Sequence, residues 1–188
     1  MQRGKLILVT GGARSGKSTF AERYAVESNK KVIYIATARA DDEEMKRRIE
    51  NHKRSRPAEF VTVEEMYSPH RVIGEKGERG TFFLVDCLTL LLNNYLFKED
   101  VPTAEMEYRE AIQGCADDAL NYVSFFAADS KENPADVLVV TNEIGMGVVP
   151  ENFLGRVYRD MIGKANQFLA EQSDEVWLVV SGVPVKIK

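Results

Sequence analysis

Residues 5–18 read KLILVTGGARSGKS, and this stretch decides the fold. Gly11, Gly16, Lys17 and Ser18 occupy the fixed positions of G-x-x-x-x-G-K-[ST], the pattern that cradles phosphates in P-loop proteins. The apolar run before the glycines predicts a buried strand, and the residues after them suit a helix. Glycines let backbone N–H groups turn toward phosphate oxygens, and the N-terminus of the helix adds partial positive charge. A turn without a ligand would not need Gly-Lys-Ser at this spacing, so the segment predicts a nucleotide-binding P-loop.

Short apolar runs and longer helix-like stretches alternate along the rest of the chain. The predicted strands are Lys5–Thr10, Lys31–Ala36, Phe60–Val63, Thr81–Asp86, Asp136–Thr141 and Glu175–Val180. The predicted helices are Lys17–Ser28, Asp41–Arg54, Cys87–Phe97, Ala104–Ala128 and Asn152–Glu171, with loops at Gly74–Gly80 and Ser130–Pro134. Several strand runs are continuously apolar, as in parallel strands buried on both faces. The order predicts an α/β fold with a mostly parallel central sheet flanked by helices.

Composition narrows the class of protein. The chain has 188 residues, about the length of one domain, and we expect a single domain over residues 1–188. The net charge is −4, so the chain lacks the excess of basic residues that is typical of nucleic-acid-binding domains. The two cysteines, Cys87 and Cys115, form no metal-binding or disulfide pattern, which suits a reducing cytoplasm. No apolar run reaches the roughly 20 residues that span a bilayer, so no membrane span is expected.

Residues near the P-loop suggest how phosphates and a cation would be held. Lys17 should reach the β- and γ-phosphates, and the hydroxyl of Ser18 should bind Mg²⁺. Asp86 closes the apolar run TFFLVD, where it could hold Mg²⁺ directly or through water. It could instead cap the helix predicted to follow. Asn142 and Glu143, after the run DVLVVT, could polarise a water or bind substrate, or they could be ordinary turn residues.

A charged segment surrounds one of the two histidines. Residues 46–56 hold six basic side chains and one acidic side chain. Met45, Ile49 and His52 fall on one face of the predicted helix, so His52 could simply be a packed histidine. The neighbouring cations could equally neutralise phosphates around a nucleophilic imidazole. His70 has no such neighbours and is predicted to be a loop residue.

Six sequence segments together resemble one enzyme family. They are TGGARSGKS, IATA before an acidic helix start, HKRSRP at residues 52–57, TNEIGMGVVPEN, GRVYRDMIGKANQ and DEVWLVVSGVPVKIK. In combination they are similar to adenosylcobinamide kinase/adenosylcobinamide-phosphate guanylyltransferase, over nearly the whole chain. The P-loop alone is shared with many nucleoside triphosphatases, whereas the HKxxRP segment, together with NEIGMGVVPEN and the C-terminal VSGVPVKIK, is typical of a much narrower set of proteins.

The resemblance implies a RecA-like P-loop fold, a homotrimer, and Mg²⁺-dependent use of GTP. Such enzymes phosphorylate adenosylcobinamide with GTP or ATP and then transfer GMP from GTP to adenosylcobinamide phosphate through a GMP–histidine intermediate. The motif places that histidine at His52. The implied nucleotide contacts are Gly11, Gly12, Ala13, Arg14, Ser15, Gly16, Lys17, Ser18, Ala36, Thr37, Ala38, Lys53, Arg54, Ser55, Arg56, Glu64 and Asp86.

One position departs from the family pattern. Some members have two adjacent histidines in the motif, and Asn51 stands at the first of these positions here. A single candidate nucleophile therefore remains. Two alternatives stay open at this point: a single-activity P-loop kinase in which His52 is structural, and a nucleotide-switched RecA-like assembly module. The acidic composition disfavours the second of these.

Overall fold

The computed structural model describes residues 3–40, 42–97 and 102–188, except for the side chains of Arg48 and Ser55. The predicted first helical residue, Asp41, lies outside the described residues. The strands are β1 (Leu6–Thr10), β2 (Lys31–Ala36), β3 (Val61–Glu64), β4 (Thr81–Asp86), β5 (Asp136–Val140), β6 (Glu175–Val180) and β7 (Val183–Lys186). The helices are α1 (Lys17–Glu27), α2 (Glu43–Ser55), α3 (Pro69–Lys76), α4 (Leu88–Leu96), α5 (Glu105–Glu132) and α6 (Phe153–Gln172).

All the strands that the structure describes lie in one sheet, in the order β3-β2-β4-β5-β1-β6-β7. Every neighbouring pair is parallel except β6 and β7, which form an antiparallel hairpin at one edge. The predicted α/β fold with a mostly parallel sheet is confirmed. Because parallel strands run in the same direction, the residues that follow β1, β2, β4 and β5 all lie at the carboxyl ends of the strands.

Side chains of the central strands alternate between two apolar cores. Leu6 and Leu8 of β1 pack with helices α3 to α6, whereas Ile7 and Val9 pack with α1 on the opposite face. All four side chains are fully or almost fully buried. Burial on both faces explains why the run KLILVT is continuously apolar. The P-loop therefore follows a central strand whose position is set by packing on both of its faces.

Two elements were missed by the sequence patterns. Gly74–Gly80 and His70 were predicted to lie in loops, but α3 runs from Pro69 to Lys76 and buries Val72 and Ile73. Pro69 suits the first turn of a helix, because its missing N–H would have no helical partner there. The second element is β7, which the segment SGVPVK forms after a tight turn. Proline in this strand is tolerated because β7 is an edge strand.

The predicted loop Ser130–Pro134 is wrong in its first half. Helix α5 continues to Glu132, two residues beyond Ser130, because Ala127 and Ser130 are buried on its inner face. None of the helices in the described ranges is both long and apolar enough to cross a membrane.

Arg3 and Asp174 hold the start of the chain against the loop before β6. The two guanidinium nitrogens of Arg3 donate to the two carboxylate oxygens of Asp174, each at 2.7 Å. The backbone N–H of Leu6 donates to the same carboxylate at 2.9 Å. The hydrogen bonds from Arg3 lower the pKa of Asp174 to about 2, from an ordinary value of 3.8. The charged carboxylate is thus favoured in the folded protein.

This ion pair predicts a pH-dependent contribution to stability. Because the folded-state pKa is depressed, the contribution is complete above about pH 4 and is lost as the pH falls toward about 2. Asp174→Asn should lower the free energy of unfolding at neutral pH by on the order of 1 kcal/mol, after allowance for solvent screening. Urea denaturation at pH 7 and near pH 2.5 measures the difference between wild type and variant. Asp160→Asn, at an exposed pair with Arg159, is the matched control. A difference that stays constant with pH would contradict the assignment.

Candidate nucleotide site

The P-loop spans Gly11 to Gly16, between β1 and α1. Gly16 has a φ of 94°, a conformation that favours glycine, and precedes α1 with no side-chain cap on the helix. A Cβ at Gly11 would collide with the backbone carbonyl of Val179. The N–H of Gly182, in the β6–β7 turn, donates to the carbonyl of Ser15 at 2.8 Å. The loop is therefore fixed from both sides, and the first turn of α1 presents uncapped N–H groups that suit an anion.

Lys17 and Ser15 supply polar groups inside this loop. The Lys17 side chain is buried, and its Nζ donates to the carbonyl of Gly12 at 2.8 Å. Burial lowers the pKa of Lys17, an effect that Cys87 and Asp86 partly oppose. Ser15 Oγ is buried with no hydrogen-bond partner among the described residues. A buried ammonium and an unsatisfied hydroxyl are costly without an anionic acceptor, and phosphate oxygens would satisfy both.

A cavity of about 580 Å³ opens beside the P-loop at the carboxyl ends of the strands. It brings together residues from the P-loop, β2, α2, β3 and β4. Of the residues expected to contact nucleotide, those that line the cavity are Ala13, Arg14, Lys17, Ser18, Ala36, Ala38, His52, Lys53, Arg56, Glu64 and Asp86. The structure thus places the P-loop lysine and the candidate nucleophile around one cavity.

Other expected contact residues lie differently. Gly11, Gly12, Ser15 and Gly16 belong to the loop but not to the cavity lining. Thr37 is buried, and its hydroxyl donates to the carbonyl of Cys87 and accepts from its N–H. Arg54 is exposed and pairs with Glu50 at 3.9 Å. The side chain of Ser55 lies outside the part of the chain that the structure describes. The expectation that Thr37 and Arg54 contact nucleotide therefore has no support from the cavity lining.

Helix α2 carries His52 to the cavity. Asp42 caps the helix, accepting a hydrogen bond from the N–H of Met45 at 2.7 Å, and acidic residues fill its first turn. The side chains of Met45, Ile49 and His52 share one face, as their spacing predicts. That face lines the cavity, and His52 is exposed. The interpretation of His52 as a packed core histidine is therefore wrong.

The basic residues at the end of α2 connect it to β3. Lys53 Nζ donates to a carboxylate oxygen of Glu64, and Arg56 Nη1 donates to Thr62 Oγ1 at 2.8 Å. Both cations remain at the cavity wall. The segment can therefore offset phosphate charge near His52, while its contacts with β3 limit its motion.

Asp86 faces the same cavity from the end of β4. Its Oδ2 accepts a hydrogen bond from the hydroxyl of Tyr34 at 2.7 Å. The N-cap of α4 is Cys87, with no side-chain cap, so the alternative role of Asp86 as a helix cap is wrong. Ser18 and Asp86 offer hydroxyl and carboxylate oxygens, the donors that Mg²⁺ prefers. The described residues include no group of three or more acidic, histidine or cysteine side chains that could hold a metal. A two-ligand site completed by phosphate oxygens fits this arrangement.

Asn142 and Glu143 could each contact a water or substrate or be ordinary turn residues, and the structure places the two residues differently. Asn142 lines the cavity, and its backbone is held by Thr89 Oγ1 at 2.8 Å and by Asn166 Nδ2 at 2.9 Å. Glu143 instead accepts a hydrogen bond from the N–H of Gly145 at 2.7 Å, within its own turn. Its backbone N–H donates to the carbonyl of Gly11 at 2.9 Å. Glu143 is therefore a turn residue that supports the P-loop.

Two residues at the site were missed from the sequence. Tyr34 lines the cavity from within β2, and the only signal was one hydroxyl in the otherwise apolar run VIYIA. Glu22 lies one turn after Ser18 on α1. Burial raises the pKa of Glu22 and Asp86 raises it further, whereas Arg56 and His52 lower it. The carboxyl of Glu22 thus belongs to the electrostatics of this site.

Similar proteins cover almost the whole chain. The family model described as cobinamide kinase / cobinamide phosphate guanyltransferase matches residues 7–187. A relative from Salmonella typhimurium, named bifunctional adenosylcobalamin biosynthesis protein CobU, is 44% identical over 97% of this chain and 99% of its own. The Escherichia coli protein of the same name is 43% identical over the same shares.

Solved structures agree on the fold alone. A prototypical ATPase from the type III secretion system of pathogenic bacteria superposes with a TM-score of 0.55 at 10% identity. The superposition covers 94% of this chain and 51% of that one. Together with the strand order and the P-loop between β1 and α1, this likeness places the chain in the RecA-like P-loop fold.

Proposed function

The chain belongs to the cobinamide kinase / cobinamide phosphate guanyltransferase family, and on that premise we propose that one cavity carries out both reactions in turn. Adenosylcobinamide is first phosphorylated on its hydroxyl by GTP or ATP, and GMP is then transferred from GTP to the new phosphate. The observation that carries the proposal is that Lys17 and His52 line the same cavity. The relatives give no support to a single-activity kinase or to an assembly module.

The P-loop end of the cavity serves phosphoryl transfer. Lys17 and the backbone N–H groups of Gly11–Ser18 would bind the β- and γ-phosphates and orient the terminal phosphorus toward the acceptor hydroxyl. Ser18 and Asp86 are the residues that would hold Mg²⁺, which supplies charge neutralisation on the phosphates when bound. Burial lowers the pKa of Lys17 and so disfavours its charged form. A bound phosphate would oppose this effect, because an anion stabilises the charged ammonium.

The α2 end of the cavity serves guanylyl transfer. An imidazole nitrogen of His52 attacks the α-phosphorus of GTP, so an N–P bond forms as the bond to pyrophosphate breaks. A phosphate oxygen of adenosylcobinamide phosphate then attacks the same phosphorus, the N–P bond breaks, and the histidine is regenerated. Lys53 and Arg56 line this part of the cavity and would offset charge on the phosphates. Two displacements let two large anionic substrates use one site successively.

Assembly and location complete the proposal. We expect a homotrimer, which would cover apolar side chains now exposed near the C-terminal edge and before α6. These are Met146, Val148, Val183, Val185 and Ile187. We also expect the enzyme to act in the cytoplasm, where Cys87 and Cys115 would stay reduced as the thiols seen here. No nucleic-acid partner is expected.

Labelled GTP tests the proposed function directly. Wild-type protein should transfer label from γ-labelled GTP to adenosylcobinamide, giving adenosylcobinamide phosphate. With α-labelled GTP, label should appear first on the protein and then, after adenosylcobinamide phosphate is added, on adenosylcobinamide-GDP. Chromatography measures the label on the corrinoids, and gel electrophoresis measures the label on the protein. Failure of the protein-bound label to pass to the corrinoid would contradict the covalent route.

A further inference from the structure

Tyr34 makes two contacts that meet in the cavity. Its side chain is 2% exposed, in β2 between β3 and β4. Its hydroxyl donates to Asp86 Oδ2 at 2.7 Å. The guanidinium carbon of Arg56 lies 3.4 Å from the centroid of its ring. One buried side chain thus touches both the carboxylate beside the P-loop and the cation at the end of α2.

The hydrogen bond restricts the carboxylate of Asp86. A short bond from a neutral hydroxyl fixes one carboxylate oxygen and so fixes the plane of the group. The other oxygen, Oδ1, keeps its lone pairs for a ligand in the cavity. Outer hydrogen bonds of this kind orient metal-binding carboxylates and commonly change metal affinity 10- to 100-fold when removed.

The ring contact restricts Arg56 in the same way. A guanidinium stacked at van der Waals distance on a buried ring is held by cation–π attraction and by packing. Arg56 Nη1 is also bound to Thr62, and its Nε is buried with no hydrogen-bond partner among the described residues. The guanidinium is therefore kept at the cavity wall, four residues from His52, instead of extending into solvent.

We infer that Tyr34 is a positioning residue for both half-reactions, with its hydroxyl orienting Asp86 toward the cation site and its ring fixing Arg56 near His52. The inference rests on the proposed function, because it assigns Asp86 to the cation and Arg56 to the transferred phosphate. Simple core packing would be served by phenylalanine, since the residues of the same core, such as Val32 and Leu84, are apolar and buried.

Tyr34→Phe tests the role of the hydroxyl, because it keeps the ring under Arg56. We expect Mn²⁺ binding to the enzyme–GDP complex, followed by the electron paramagnetic resonance signal of free Mn²⁺, to weaken about 10-fold. Both activities should fall by a similar factor at limiting Mg²⁺ and recover partly at high Mg²⁺. Tyr24→Phe is the matched control, because it removes a phenol hydrogen bond of 3.1 Å to Glu175, at the start of β6 and outside the cavity lining. Its Mn²⁺ binding should equal that of wild type.

Tyr34→Leu tests the role of the ring. Losing the stacking contact should lower formation of the His52 guanylyl adduct further than in Tyr34→Phe, while kinase activity falls no further. Circular dichroism and thermal melting identify the temperature range in which each variant is folded, and the measurements are made there. Equal adduct formation in the two variants would overturn the part of the inference that concerns Arg56.

A double variant separates positioning from general damage. In an Asp86→Asn background, removing the Tyr34 hydroxyl should cause no further loss of Mn²⁺ affinity, because the two residues act through one contact. Unchanged Mn²⁺ affinity in Tyr34→Phe, or additive losses in the double variant, would overturn the inference. A wild-type protein that binds Mn²⁺–GDP as expected but transfers no label to corrinoid would overturn the proposed function alone.

Discussion

His52→Ala is expected to eliminate protein-bound label from α-labelled GTP and to lower GMP transfer by at least about 1,000-fold. The reason is that His52 is the candidate nucleophile at the cavity wall, and alanine offers no atom that can form the N–P bond. Phosphorylation of adenosylcobinamide should stay within about three-fold of wild type, because the P-loop is not altered. The two activities are measured on the same preparations with α- and γ-labelled GTP.

The control for this variant is the second histidine of the chain. His70 lies on α3, away from the cavity lining, with its Nδ1 3.1 Å from the hydroxyl of Tyr122. His70→Ala should retain the label while the protein is folded. In wild type the label should be lost in acid and kept in base, as for a phosphorus–nitrogen bond. Label that survives in His52→Ala would assign the nucleophile to another residue.

Lys17→Ala is expected to lower both activities by roughly 100- to 1,000-fold and to weaken nucleotide binding. Lys17 is buried beneath the P-loop, where alanine removes a charge-assisted donor for the β- and γ-phosphates. Loss in both half-reactions is required by the proposal, because both use the triphosphate of GTP. Fluorescent nucleotide titration and the two label assays measure binding and catalysis separately.

Lys46→Ala provides the comparison for loss of a lysine. Lys46 is exposed on α2, outside the cavity lining, and pairs with Glu43 at 2.6 Å. It should retain nucleotide affinity and both activities. Unchanged GTP affinity in Lys17→Ala would contradict the assignment of the P-loop as the phosphate site.

Local sequence was sufficient for the P-loop and for most of the sheet. The glycines and Lys17 are constrained by short-range geometry, so their spacing predicts the turn without reference to distant residues. Apolar runs such as TFFLVD predict strands because both faces are buried. The spacing of Met45, Ile49 and His52 also predicted that they share one face of α2. Periodicity cannot show what that face contacts, so the cavity that it borders was not predicted.

The missed features depend on distant partners. β7 is largely exposed and contains proline, so only its pairing with β6 makes it a strand. Helix α3 is short and is held by burial of Val72 and Ile73. Tyr34 and Asp86 are brought together by the parallel pairing of β2 and β4, 52 positions apart in sequence. A single sequence carries no signal for such a contact beyond the presence of a hydroxyl.

The P-loop lies near the start of the chain, but the elements that support it lie near the end. Its leading strand, β1, pairs on both sides with strands from the last third of the sequence, β5 and β6. The turn that donates from Gly182 to Ser15 comes later still. A ribosome therefore makes the phosphate-binding sequence first and the parts that shape it last. Newly made chains should gain nucleotide affinity only near the end of synthesis, and until then the apolar β1 needs protection from aggregation.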